Sequence, residues 1–498
     1  MESSVTEDTS VPIEPPTQHT LAERRARIVA RRTRGEPAVG LLRTAVPAIA
    51  KLFADEFREG RCVLRFGLED IVCDEDQGRF ALVADLPRYS RDDLPTGLSF
   101  LENGIYAPEL TKLIQRELSP RTDVYSLGAL LYFLITGLDP SPELSRLTAK
   151  LPPIRIFEPH LPLGLDPILK RALSRLPEDR FPDPEAMCDE IDAIFALDAE
   201  RRREVVSPRL TTRFGSATDG GINKSTKNPR NQDQFFCALD EERELGLFLV
   251  ADGVSNCEVG AGDRAAEYVV AAAESAWCVL AECATETPIH SLDLGQLLTD
   301  IAQGANEAIA VEATEIALHQ WPNGDVPDEA RSMSSTAVGI FRRGREVTIS
   351  NLGDSRAYLI RDEWIDQITV DQDRRTQRLQ RGQGLEAIAN ASGLGELTRA
   401  VGTSHWETDH FVASTMQPDL MTISLLPGDR ILICSDGVPD CIGPRSAEQI
   451  HEIVLAADRP SRAVWNLLVA ANENGGDDNI TAILIDCKEE EDATCPKN

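Results

Sequence analysis

Residues 247–253 read LFLVADG and residues 431–437 read ILICSDG. In each, an apolar strand runs straight into an Asp-Gly turn. Two more strands meet an Asp in the same way, at TISNLGDS (348–355) and GGDDNITAILI (475–485). Asp233, in NPRNQDQFF (228–236), stands just before another. Taken singly, Asp and Gly beside a strand only mark a turn. Together, such strands can gather Asp233, Asp252, Asp354, Asp436 and Asp478 at one edge of a sheet. Unpaired carboxylates so placed repel one another, and hard divalent cations with oxygen ligands relieve that repulsion. With few His and no matching Cys pattern, Mg²⁺ or Mn²⁺ suits this set better than Zn²⁺.

Around these turns, short β-type runs recur at Phe235–Leu239, Leu245–Ala251, Val347–Leu352, Ile431–Cys434 and Ile480–Ile485. Ala-rich helical stretches lie between them, near 262–284 and 292–318. An α/β domain is expected over 211–487, with an acidic tail at 488–498. Before it, RRREVVSPRL (201–210) breaks at Pro208 and reads as a linker. Residues 38–200 are mainly helical in pattern, at Leu41–Phe57, Val124–Leu134 and Asp183–Leu197, with a hairpin turn at Asp74–Gly78. Residues 1–37 form a flexible basic tail carrying Arg24, Arg25, Arg27, Arg31, Arg32 and Arg34. A docking arm for an acidic partner is the sharper reading of that run. A solvated helix face, or a strap on the protein's own acidic body, is the plainer one.

The 498 residues carry 51 Lys and Arg against 82 Asp and Glu, a net charge of −31, so phosphate backbones are repelled and nucleic acid is a poor partner. The most apolar stretch, Tyr268 to Ala284, is interrupted by Glu274 and Glu282, and no membrane span is expected. Eleven cysteines without CxxC or metal-finger spacing fit reduced thiols and a cytoplasmic protein.

In order along the chain, NQD, VADG, GDSRAYL, LTRAVG, CSDG and GGDDNIT resemble the metal-dependent Ser/Thr protein phosphatases of the PPM (type 2C) family. The resemblance spans residues 211–487 and implies a β-sandwich flanked by helices, with a two-metal centre at one end. It implies that Asp252 bridges two Mn²⁺ or Mg²⁺ ions, with the Gly253 carbonyl holding one. Asp436 and Asp478 complete the first metal, Asp233 lies in the same cluster, and Asp354 serves a third, weaker ion. The implied catalytic set is Asp252, Asp436 and Asp478, and the implied reaction is in-line attack by a metal-bridging hydroxide on a phosphoprotein, without a phosphoenzyme.

Four departures stand out. Gln232 occupies the place of the usual Glu, and DGxGG becomes Asp252-Gly253-Val254-Ser255-Asn256. Val254 replaces the His of some members, and Asn228 sits where a phosphate-binding Arg is usual. Lys227 and Arg230 beside it are the candidate phosphate contacts. Arg374, Arg375, Arg378 and Arg381 form a basic patch where the family carries a variable flap, suited to a phosphoprotein substrate or simply to an exposed helix face. His405 and His410 read as loop histidines.

Residues 105–137 and PEDRFPDPEAM resemble the C-lobe of eukaryotic-type protein kinases, a likeness extending over about 41–197. Ala107-Pro108-Glu109 matches the motif closing the activation segment, and Asp123 matches the Asp that organises nearby backbone. Arg180 matches the late Arg that pairs with the motif's Glu, so a structural Glu109–Arg180 ion pair is expected. The catalytic parts are absent: there is no Gly-rich loop, Arg65 stands where the catalytic Asp belongs, and Asp70 stands for a metal-binding Asn. Asp85 matches the metal-binding Asp, but Leu86-Pro87 follows it in place of Phe-Gly. The expected protein is a phosphoprotein Ser/Thr phosphatase behind a mostly α, catalytically inactive kinase-like lobe used for docking or regulation, acting opposite a separate Ser/Thr kinase. The competing expectation is a non-catalytic scaffold that binds phosphoproteins or a partner kinase.

Overall fold

The computed structural model describes residues 18–20, 23, 26, 39–74, 79–95, 105–110, 117–138, 151–203, 209–283, 292–327 and 329–489. The arginine run of the N-terminal tail, most of the linker and the end of the acidic tail lie outside these residues. The chain divides into two compact units. The first comprises residues 1–144 and 168–193, and the second comprises 145–167 and 194–498. This differs from a simple division into 38–200 and 211–487. Residues 151–167 pack with the second unit, and the closing strand runs on to Glu489, which moves the start of the tail.

In the first unit, helix α1 (Val39–Arg58) buries Leu42, Val46, Ile49 and Phe53, a stripe at helical spacing. Strands β1 (Ile71–Asp74) and β2 (Arg79–Leu82) pair antiparallel on either side of the expected turn. Helix α2 (Pro120–Thr136) starts with Pro at its first position after Ser119, and it ends at Gly137 in the left-handed region, φ 76°. It is buried almost all round, which explains why its sequence is a dense apolar run rather than a stripe. At Gly128 its backbone lies against Ala172, where a Cβ would stand 2.7 Å from the Ala172 Cβ.

Arg180 and Glu109 form a two-bonded ion pair with Nη1–Oε1 2.7 Å and Nη2–Oε2 3.0 Å, both side chains fully buried. Thr122 Oγ1 also donates to Glu109 Oε1 at 3.0 Å. The Asp123 carboxylate accepts the backbone N–H groups of Val63 (2.9 Å) and Leu64, and Leu64 is held at φ 64°. Ser126 Oγ donates to the Leu64 carbonyl at 2.8 Å, so the loop at 63–64 is fixed from α2 by two side chains. Asp85 is exposed.

The second unit contains two five-stranded antiparallel sheets. In chain order its strands are β3 (Leu210–Asp219), β4 (Asp233–Asp240), β5 (Leu245–Asp252), β6 (Ala337–Arg343), β7 (Glu346–Leu352), β8 (Arg356–Ile360), β9 (Ile365–Gln367), β10 (Ser404–Glu407), β11 (His410–Ala413), β12 (Asp419–Ser424), β13 (Arg430–Cys434) and β14 (Ile480–Glu489). One sheet has the order β12-β7-β6-β5-β4, the other β9-β8-β13-β14-β3, and β10 with β11 form a separate hairpin.

Helices α6 (Gly262–Cys283) and α7 (Leu294–Gln320) cover the first sheet, and α12 (Pro460–Glu473) covers the second. Strand β5 is buried on both faces: Leu247, Leu249 and Ala251 meet the helices, while Phe248 and Val250 are also fully buried. That double burial is why LFLVA lacks the alternation of a one-sided strand. Each such aliphatic side chain contributes about 1.5–3 kcal/mol. The observed unit is a β-sandwich flanked by helices.

Candidate metal centre

Register brings the acidic turns to one end of the sandwich. Asp252 closes β5 directly opposite Asp233, the first residue of β4. Asp354 lies between β7 and β8, Asp436 follows β13 by one residue, and Asp478 precedes β14 by one. Arg356 opens β8 opposite Cys434, which in turn faces Ala482, so the second sheet delivers its three acids to the same edge.

The backbone at this edge is held tightly. The Asp252 carbonyl accepts Thr336 N at 2.8 Å and Ser335 Oγ at 2.9 Å, while Asp252 N donates to Thr336 Oγ1 at 3.1 Å. Gly253 has no room for a side chain, since a Cβ would collide with the Gly262 carbonyl. Gly437 is similarly closed off by the Asn479 carbonyl. Asn479 ties β14 to the β4 entrance: its Oδ1 accepts Gln232 N at 3.0 Å, and its Nδ2 donates to Gly220 O at 3.0 Å.

The charges are poorly answered. Asp233 is buried; Ser435 Oγ donates to its Oδ2 at 2.7 Å, while its Oδ1 receives no hydrogen bond. Burial pushes the Asp233 pKa up to about 6, with the Asp478 charge adding to the rise. Asp252 and Asp436 are raised well above the usual carboxylate range, first by burial and then by the surrounding acids. Asp354 rises to about 6 through burial and the charge of Asp371. A carboxylate set that raises its own pKa values is a site awaiting positive charge.

Lys224, on the short helix α5 (Ile222–Lys227), supplies some of that charge: its Nζ is 2.6 Å from Asp478 Oδ1. Burial works against its ammonium, but Asp478, Asp252 and Asp436 outweigh it and its pKa is raised. The cation that reaches the cluster is therefore Lys224, not Lys227 or Arg230. Lys227 is exposed, and Arg230 is exposed and turned to Asp263 at 3.3 Å. The signal in the sequence was helical spacing, because Lys224 stands one turn, i to i+4, before Asn228.

Three of the departures from the family pattern meet each other. The Gln232 side-chain carbonyl accepts Ser255 Oγ at 2.6 Å and Asn228 Nδ2 at 3.3 Å. A neutral amide thus finds neutral partners where the family pattern has charged and glycine residues. The small residue beside Gly253 is Gly262, at the start of α6, rather than a glycine of the following turn.

Hard oxygen donors, an orphaned buried Asp233 Oδ1 and mutual repulsion fit a divalent cation. As they stand, no three His, Cys, Asp or Glu side chains among the described residues already converge with metal-holding geometry. Asp252, Asp436 and Asp478 are all half-buried. His405 and His410 are exposed on the β10–β11 hairpin, bonded to Glu407 and Asp409, and take no part.

Basic residues flank the site. Arg374, Arg375 and Arg378 lie on α8 (Arg374–Gln380) with Arg381 after it. Arg374 pairs with Glu396 on the surface, and Asp373 caps the helix by accepting Thr376 N at 2.7 Å.

Residues 221–467 match the family model described as protein phosphatase 2C. A curated relative, the serine/threonine phosphatase stp of Listeria monocytogenes, is 27% identical over 241 residues, covering 48% of this chain and 84% of that protein. The serine/threonine protein phosphatase PstP of Mycobacterium tuberculosis is 26% identical over 280 residues, covering 56% of this chain and 45% of the relative. A crystal structure of the PstP catalytic domain, in complex with two manganese ions, covers 56% of this chain and 99% of that one at 26% identity, with a TM-score of 0.41.

Proposed function

We propose that this chain, a protein phosphatase whose residues 221–467 form a domain of the protein phosphatase 2C type, hydrolyses phosphoserine and phosphothreonine in proteins with two Mn²⁺ or Mg²⁺ ions at the acidic end of its sandwich. The observation that carries the reading is the meeting of Asp233, Asp252, Asp436 and Asp478 from two sheets at one edge, with Asp233 and Asp252 in direct register. Asp252, the Gly253 carbonyl, Asp436 and Asp478 would hold the ions together with Asp233, and Asp354 would serve a third. Bound divalent cations would activate water and offset charge on the phosphoryl oxygens.

The chain's own residues do the rest. Ser335 and Thr336 fix the Asp252 backbone, and Ser435 orients Asp233. Lys224, already balancing Asp478, can turn its ammonium to a phosphoryl oxygen once a cation takes over that carboxylate. The arginines of α8 suit the acidic flanks of a phosphoprotein substrate.

The first unit is proposed to be an inactive kinase-like lobe. Its supports are the buried Glu109–Arg180 pair and the clamp of Asp123 on the Val63–Leu64 backbone, set beside the missing catalytic residues. A docking or regulatory role opposite a separate Ser/Thr kinase follows from that reading. Nine of the described cysteines are free, which supports a cytoplasmic setting, and among the described residues no helix is long and apolar enough to cross a membrane.

The test is phosphate release from a phosphothreonine peptide with Mn²⁺, Mg²⁺ or EDTA, in wild type, Asp252→Asn and Asp436→Asn. Metal-dependent release lost in both variants supports the reading. Folded wild type without release under either metal overturns it and leaves a phosphoprotein-binding scaffold, the alternative that Gln232 and the unconverged ligands favour.

A further inference from the structure

Residues 151–167 precede the whole of the family-matched segment, yet they pack within the same unit as residues 194–498. Their apolar side chains Ile154, Leu161, Leu163 and Leu165 are buried. Ile154 N donates to Asp166 Oδ1 at 2.8 Å, closing the segment on itself. Arg155 and Asp366 are each about 2% exposed in their side chains, and they pair at 3.1 Å between Nη2 and Oδ2. Gly164 N donates to the same Oδ2 at 2.8 Å. Gly164, at φ +94°, has no room for a side chain: a Cβ would collide with Ile194 Cδ1 and stand 3.0 Å from Trp364 Cε2. A segment outside the matched domain therefore grips the short strand β9 at Asp366 and at Trp364 just before it.

Strand β9 leads directly to the Asp354 side of the site. It pairs with β8, which begins two residues after Asp354. Beyond β9, Asp371 accepts Arg356 Nε at 3.0 Å and Nη2 at 2.7 Å. Gln372 exchanges two bonds of 2.9 Å with Gly353, the neighbour of Asp354. Asp373 then caps α8, and the turn Ile154–Ile156 touches α8 itself. The strap thus meets this stretch at β9 and again at the arginine helix.

We propose that residues 151–167 are a positioning strap of the catalytic unit, with Arg155 acting through Asp366 to fix where α8 and the Asp354 loop stand. The strap touches no reacting atom. Its effect falls on how a phosphoprotein is held, and in this respect it rests on the phosphatase reading. The mechanical part does not, since it concerns only the order of residues 365–381.

The full chain is compared with Arg155→Met and with Gly164→Ala, whose methyl crowds Ile194 and Trp364 and displaces the strap without removing a charge. Amide hydrogen exchange over 365–381 is expected to rise in both. KM for an acidic-flanked phosphothreonine peptide is expected to rise roughly fivefold while kcat on p-nitrophenyl phosphate stays within about twofold. Arg155→Lys keeps the charge without the fork, and it is expected to fall between wild type and Arg155→Met. Should Arg155→Met not fold, Gly164→Ala decides by the same readings. Wild-type exchange over 365–381 in a folded variant overturns the strap, even if no variant turns over substrate. Raised exchange with an unchanged KM overturns its substrate role.

Discussion

The enclosed acids of the first unit and the metal-edge acids of the second are buried to opposite ends, although the second unit also encloses Asp366 with Arg155. In the first, Glu109 is enclosed by Arg180 and Thr122, and Glu56 by Arg61 and Arg88, while Asp123, held by two backbone N–H groups, is still pushed up to about 6 by burial. In the second, Asp233, Asp252, Asp354 and Asp436 face one another, and their pKa values rise together. Enclosed acids hold a fold together, because removing one partner strands the other in a low dielectric. Acids set against one another weaken the metal-free fold and are retained for what they bind.

The largest effect expected from this contrast is on turnover. Asp252→Asn or Asp436→Asn should lower metal-dependent phosphate release by about a thousandfold, the scale of losing several kcal/mol of charge stabilisation. The same Asp252→Asn should leave the metal-free fold intact and raise its melting temperature by about 2–4 °C, because a repelling charge is gone. Glu109→Gln should do the reverse: destabilise the first unit by about 3–5 kcal/mol through the stranded Arg180, read by denaturant unfolding, with residual turnover preserved wherever the chain stays folded. If both substitutions moved stability in the same direction, the contrast would collapse.

A smaller effect follows from pH. Asp233 and Asp354 titrate near 6 in the folded chain, against about 3.9 for an unfolded Asp. A carboxylate raised on folding contributes stability that is full below the unfolded value and is lost as pH rises through the folded one. The melting temperature of the metal-free second unit should therefore fall between pH 5 and pH 7.5, and saturating Mn²⁺ should flatten that slope. Thermal scans with and without the metal check the sign.

Lys224→Met sharpens the comparison further, since it removes a cation bonded to Asp478. Manganese affinity, measured by calorimetric titration, should rise several-fold, while peptide KM worsens. At the small end, His405→Ala and His410→Ala should change neither turnover nor stability beyond about 0.5 kcal/mol, because their partners are exposed.

Much of the second unit was legible because its strands are apolar on both faces and stop at Asp. The expected run Leu245–Ala251 is observed as Leu245–Asp252, and 262–284 as Gly262–Cys283. Motif order brought the five acids to attention, and register explains why they share an edge. Lys224 was missed because the family's spacing pointed to the residues around Asn228, whereas a one-turn helix presents a residue one turn earlier. The mutual satisfaction of Asn228, Gln232 and Ser255 was equally hidden, being a contact across 27 residues of sequence that no local pattern marks. The strap was out of reach for the same reason: Arg155 and Asp366 lie 211 positions apart.

The central question is whether the acidic end collects metal. Calorimetric titration of Mn²⁺ into this chain, metal-free, should show two ions bound per chain, with binding lost in Asp252→Asn and kept in Glu109→Gln. Titration curves for folded wild type and Asp252→Asn that coincide would contradict the assignment of this edge as a metal centre.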